Sequence, residues 1–239
     1  MILQLHPDTL PFLRELMKNN NRPWFNDHKP HWLEIKEAFD LFTQGLIDEM
    51  SQSDDTLVGL TPKNSVYRIY RDTRFSPDKT PYKTHISCFL SSWGPKNSGV
   101  PGYYFQIGAD EAYGLTGTCN LGGGIFMPTP EGLAAIRQEI FYCPDELLSI
   151  MNEPSYKKYF GNTFFTTKVL QRVPKGYPAD WEHADLLKYK DYCTAYTMPE
   201  KNAQQPQAVR RGTESVARKH SSQPVHPACH GGCKRSLSN

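Results

Sequence analysis

Apolar side chains recur every three to four residues from about Pro30 to Gln52 and every two residues beyond about Ser65. A chain that changes period in this way folds as helices laid against a sheet. The helical stripe is Trp32, Ile35, Phe39, Phe42, Leu46 and Met50, one continuous face. A shorter helix is predicted ahead of it, with Asp8 as N-cap, Phe12, Leu13, Leu16 and Met17 at helical spacing, and Asn19-Asn20-Asn21 as its stop. Trp24 and Phe25 then fall in a connecting loop, where aromatics pack back onto the two helices as core.

Four period-two runs follow, at 65–71, 82–91, 102–108 and 112–121. Ile86, Cys88 and Leu90 share one face of the second run, Tyr103, Phe105 and Ile107 one face of the third, and Tyr113, Leu115, Cys119 and Leu121 one face of the fourth. The opposite parity carries Lys83, His85 and Ser87, then Tyr104 and Gln106, then Thr116 and Thr118. The sheet is therefore expected to bury one face and to keep a polar, wet one, as antiparallel sheets commonly do. Gly108-Ala109-Asp110-Glu111 suits a hairpin between the last two runs, and Gly122-Gly123-Gly124 is expected to close the strand region as a turn or bulge. Thr129 as N-cap and Pro130 at the first helical position open another helix through Leu133, Ile136 and Ile140. Shorter helical pieces are expected near 144–152, 154–160 and 181–190. The fold class these signals predict is α+β: an antiparallel four-strand meander with one face covered by the two N-terminal helices and the helix near 130–141.

A chain of 239 residues, 38% of them hydrophobic, suits one sizeable core, assigned to a single domain over residues 1–201. Beyond that point none of the 29 aromatic residues remains. The segment 202–239 is accordingly expected to be a disordered basic tail, and its abrupt change of character fits a replaced or out-of-frame C-terminus. Six of the 27 Lys+Arg and one of the 25 Asp+Glu lie in that tail, so residues 1–201 carry a net charge of −3. That sign argues against nucleic acid as a partner of the folded part. Apolar runs fall far short of the ~20 residues that cross a bilayer, and the start, MILQLHPD, lacks a signal-peptide pattern, so no membrane partner and a cytoplasmic location are expected. Cys88, Cys119, Cys143 and Cys193 are scattered singly, as reduced, partly buried thiols are.

Chemistry concentrates between Arg68 and His85. Arg68, Arg71, Arg74, Lys79 and Lys83 lie within sixteen residues, around a loop rich in turn formers. Arginine forks and lysine ammonium groups hold phosphate or carboxylate oxygens, and hydroxyls such as that of Tyr82 add donors. The candidate ligand set is thus Arg68, Arg71, Arg74, Lys79, Tyr82 and Lys83, for a phosphorylated or carboxylated small molecule. Asp72 and His85 are the groups placed to assist hydrolysis or transfer as acid or base. The competing reading is a non-enzymatic module that docks a protein partner, in which Asp72, Asp78 and acids from the helices turn the same cations into a structural ion-pair network. No metal or cofactor is expected: His226, Cys229, His230 and Cys233 crowd into eight residues without the loop that separates zinc-ligand pairs, and no nucleophile elbow, His-Glu-x-x-His or dinucleotide fingerprint is present.

The pattern R-x-x-R-D-x-R-F-S-x-x-K-T-P-Y-K-T, from Arg68 to Thr84, resembles the hallmark of the family named domain of unknown function 2461. Phe12-Leu13, Asn20-Asn21-Arg22-x-Trp24-Phe25, Gly123-x-x-x-x-Pro128 and Leu186-Leu187-Lys188 resemble other parts of it, over about residues 8 to 200. The resemblance implies no particular activity. It also implies an apolar-patterned helical ending after Tyr196 to Pro199, which the basic tail does not supply.

Overall fold

The computed structural model describes residues 4–93, 99–109, 118–161, 163–166 and 168–200. Helix α1 (Thr9–Lys18) buries Leu10, Phe12, Leu13 and Leu16. Met17, expected on the same stripe, is 43% exposed. Asn19 ends α1, and Asn21 starts a short helix, α2 (Arg22–Asp27), by accepting the Trp24 backbone N–H on its side chain at 3.0 Å. Trp24 and Phe25 therefore ride on a helix rather than a loop, although Phe25 is core as expected. Helix α3 (Lys29–Met50) buries all six residues of its predicted stripe. Phe39 and Phe42 lay their rings against Phe105 of the sheet, with centroids 6.1 and 4.8 Å away. Burying six side chains of this size contributes on the order of 10 kcal/mol before entropy is counted.

The sheet is antiparallel with its four strands in chain order: β1 (His85–Leu90), β2 (Pro101–Gly108), β3 (Cys119–Ile125) and β4 (Tyr192–Met198). The α+β meander is as predicted, but two of its strands are not the predicted ones. The run 65–71 makes only two isolated bridges, Val66 with Cys88 and Tyr70 with Tyr82. Between those bridges the 82–88 side holds two more residues than the 66–70 side, which breaks the ladder. A four-residue helix, α4 (Pro62–Ser65), leads into it. Of the run 112–121 only the end is strand among the described residues; residues 110–117, with half of the proposed Gly108–Glu111 hairpin, lie outside them. Gly122-Gly123-Gly124 extends β3 instead of closing it, pairing with Tyr104, Tyr103 and Gly102 on one side and with Ala195, Thr194 and Cys193 on the other.

The four-way register puts Ile86, Ile107, Cys119 and Met198 in one row of the core face and Cys88, Phe105, Leu121 and Tyr196 in the next. That face packs on α1 and α3. Helix α5 (Pro130–Tyr142), capped by Thr129 Oγ1 accepting from the Gly132 N–H at 3.1 Å, does not join it as expected. Its Leu133, Ile136 and Ile140 build a second, smaller cluster with Leu187 and Tyr192. Helices α6 (Pro144–Asn152) and α7 (Pro154–Phe160) match expectation, and the piece near 181–190 is a 3-10 turn over Ala184–Lys188. No helix among the described residues is long and apolar enough to cross a membrane. Residues 202–239, with the His226 to Cys233 group, lie outside the described residues.

Candidate functional site

The cationic segment is anchored from the N-terminal helices. Asn20 clasps Tyr82 from both sides, its side-chain amide donating to the Tyr82 carbonyl at 3.0 Å and its side-chain oxygen accepting the Tyr82 N–H at 3.1 Å. Phe25 stacks on the Tyr82 ring at 4.0 Å. The Asn20–Phe25 motif and the Pro81-Tyr82-Lys83 motif, far apart in sequence, thus meet in space. Tyr82 is buried, its ring packed into the main core cluster.

Beyond that anchor the five cations divide into two sets. The loop from Arg71 to Thr80 is braced by its own side chains. Arg71 donates to the side chains of Asp78 and Thr80. Arg74 grips both oxygens of Asp72 at 3.0 and 2.7 Å, and Lys79 donates to the Thr73 carbonyl at 2.9 Å. These contacts hold the Asp72 carboxyl down to about 2, chiefly through the Arg74 side chain and then its backbone N–H, with Arg68 a minor contributor. Asp78 is likewise held at about 2, first by the Thr80 backbone N–H and then by Arg71. A carboxylate this stabilised is a weak base at neutral pH.

Arg68 and Lys83 form the other set. Arg68 is exposed and Lys83 half-buried. The Lys83 ammonium rests over the Tyr67 ring, 5.1 Å from its centroid. Among the described residues neither cation has an acid within ion-pair distance. Burial, and secondly the charge of Arg68, push the Lys83 ammonium below its usual value.

These two cations lie at the edge of the sheet's polar face, which is polar as predicted but not wet. Tyr67 donates its N–H to the Ser87 carbonyl at 3.0 Å, and the register continues the row through Ser87, Gln106, Asn120 and Thr197. Gln106 and Asn120 are fully buried, Ser87 nearly so, and His85 is buried beside them. Gln106 Oε1 accepts from the Tyr104 hydroxyl at 2.7 Å, and Asn120 Oδ1 accepts from the Thr197 hydroxyl at 2.9 Å. Among the described residues the Gln106 amide nitrogen has no hydrogen-bond partner, an expensive state for a buried donor. Gly108 lies opposite His85, and a Cβ there would sit 2.6 Å from His85 Cβ. Sequence parity places Lys83, His85, Ser87, Tyr104 and Gln106 together, and by the same parity Asn120 joins Thr116 and Thr118; Tyr67 and Thr197 reach this face through pairings that parity does not specify.

The model of a family described as "Conserved hypothetical protein (DUF2461)" matches residues 8–221. The match runs past residue 202, into the stretch whose composition reads as a tail. No curated protein and no solved structure matches the chain.

Proposed function

The chain belongs to the DUF2461 family of conserved hypothetical proteins, and from that premise we propose that the sheet edge at Arg68 and Lys83 receives a phosphate or carboxylate group of a small ligand. The observation that carries this is Lys83: a half-buried ammonium that feels the charge of Arg68 and, among the described residues, has no acid within ion-pair distance. Two like charges in such a setting repel, and an anion between them relieves the repulsion and favours the charged form of the lysine. Arg71, Arg74 and Lys79 hold the loop in shape, as do Asp72 and Asp78. The unpartnered Gln106 amide offers a donor to a polar group of the same ligand, and His85, on the same face, is the residue able to move a proton should the ligand react.

The test is a thermal-shift and calorimetric panel of inorganic phosphate, citrate and nucleotides on the full chain. At least one anion is expected to stabilise it, and Arg68→Ala with Lys83→Ala to weaken that ligand about 10- to 100-fold, the loss of one or two charged hydrogen bonds. Lys18→Ala is the control and should bind unchanged. If no anion shifts the wild type, or the double variant binds as well, the reading is abandoned.

A second reading has one observation of its own. Phe75, at the tip of the self-braced loop, is 93% exposed, an arrangement suited to docking a protein partner. A stoichiometric partner that co-purifies at high salt and is lost with Phe75→Ser supports this reading over the first.

A further inference from the structure

We propose that His6, Asp8 and His31 form a binding site for a divalent transition-metal ion of the zinc class, independent of the anion site. One ligand atom from each of these side chains lies within 4.8 Å of the other two. His6 precedes α1, Asp8 stands at its N-cap position, and His31 is in the first turn of α3. The cluster therefore joins the chain's entry into α1 to the start of the longest helix.

Asp8 carries the argument. An aspartate at an N-cap ordinarily accepts from its own helix's free N–H groups, yet this one makes no side-chain cap bond. Its Oδ2 turns instead to His31 Nε2, 3.2 Å away. Two donors on one tetrahedral zinc, each bound at about 2.0–2.1 Å, stand roughly 3.3 Å apart. Asp8 and His31 are thus at coordination spacing already. His6 completes the corner: its Nδ1 accepts the Asp8 backbone N–H at 3.2 Å, the long end of the hydrogen-bond range, so an unprotonated lone pair is held there by a weak contact. The His6 and His31 rings meet at 73° with centroids 6.1 Å apart, which keeps them clear of each other around a shared ion. Phe12 sets its ring edge-on to His31 at 5.5 Å and fixes the imidazole's orientation.

Two imidazoles and one carboxylate are the donor set of borderline cations such as Zn2+, Co2+ and Ni2+; hard Mg2+ and Ca2+ call for oxygen donors throughout. The His31 and Asp8 side chains are 41% and 52% exposed, so water fills the remaining coordination positions and the ion enters without unfolding. On binding, the metal takes the place of the proton between His31 Nε2 and Asp8 Oδ2, and His31 coordinates as a neutral imidazole with its one proton on Nδ1.

Chelator-treated full-length protein titrated with Co2+ is expected to develop visible d–d absorption with one equivalent at this site, bleached by Zn2+. The signal should fall at least tenfold in His31→Ala and in His6→Ala, and persist when His226, Cys229, His230 and Cys233 are replaced together. Because a helix-start variant can lose its fold, the wild type supplies a second measurement. Zn2+ should protect His6 and His31 from diethyl pyrocarbonate, read by peptide mass, while Mg2+ should not. Absorption that survives both single variants, absorption that vanishes with the tail replacements, no absorption at all, or protection confined to other histidines overturns the proposal.

Discussion

Replacing Gly124 by alanine tests the least expected pairing in the fold, that of β3 with the distant β4. Gly124 has φ of +126°, a conformation side-chain-bearing residues rarely hold, and an alanine Cβ there would lie 2.3 Å from the Tyr192 carbonyl oxygen and 2.5 Å from Cys193 Cα. The backbone strain is worth about 1–3 kcal/mol, and pushing β4 aside costs a further ~1–3 kcal/mol. Together Gly124→Ala should cost about 2–6 kcal/mol, a fall in melting temperature of roughly 4–24 °C for a domain of this size. Gly59→Ala separates the two causes, since Gly59 has φ of +86° with nothing within 4 Å of its would-be Cβ; it carries strain alone. Urea unfolding followed by circular dichroism gives both values. A Gly124→Ala cost no larger than that of Gly59→Ala would refute the register in which Gly124 faces Cys193.

Acid should weaken the braced loop in a defined direction. Asp72 and Asp78 are held at about 2 against an ordinary 3.8, so the stability they add is full above about pH 4 and is lost as pH falls through about 2. Asp72→Asn with Asp78→Asn should flatten the pH dependence of the unfolding midpoint between those limits, and an unaltered slope would count against the pairing. Asn20→Ala leaves a donor and an acceptor of the Tyr82 backbone without their partner, which should cost about 2–4 kcal/mol by urea titration; a loss under ~0.5 kcal/mol would show the clasp to be dispensable. Among the described thiols only Cys143 is exposed, while burial pushes Cys88, Cys119 and Cys193 up to about 12. A pulse of iodoacetamide on the native protein should label the Cys143 peptide and spare the other three, and prompt labelling of Cys88 would contradict the packing.

What could be read from the residues was what is decided locally. The α3 stripe and the parity of β1 and β2 follow from periods of 3.6 and two, and all six stripe residues proved buried. The glycine triplet misled because small residues mark breaks in a strand, whereas here Gly122 and Gly124 admit the close approach of the β4 backbone, a tertiary cause. The run 65–71 has strand composition, but a two-residue slip against 82–88 leaves it two bridges. Tyr192 to Met198 alternates well enough to be a strand, yet its partner is settled by closure across residues 126–191. In the cationic segment both acids were visible, while the division into three committed cations and two unneutralised ones depends on loop geometry. The His6, Asp8 and His31 cluster depends on a helix crossing that periodicity does not specify.

The late arrival of β4 bears on how the protein is made. Residues 126–191 separate β3 from its outer partner. At translation speeds of ~5–20 residues per second, that interval lasts roughly 3–13 s. During it β1, β2 and β3 can pair, but β3 presents a bare, glycine-rich row of backbone donors and acceptors to whatever is near. An unpaired strand edge recruits other strands, including those of neighbouring nascent chains. Crowded polysomes, rather than the finished protein, are therefore where this fold is most exposed to misassembly, and slowing its synthesis would lengthen the hazard.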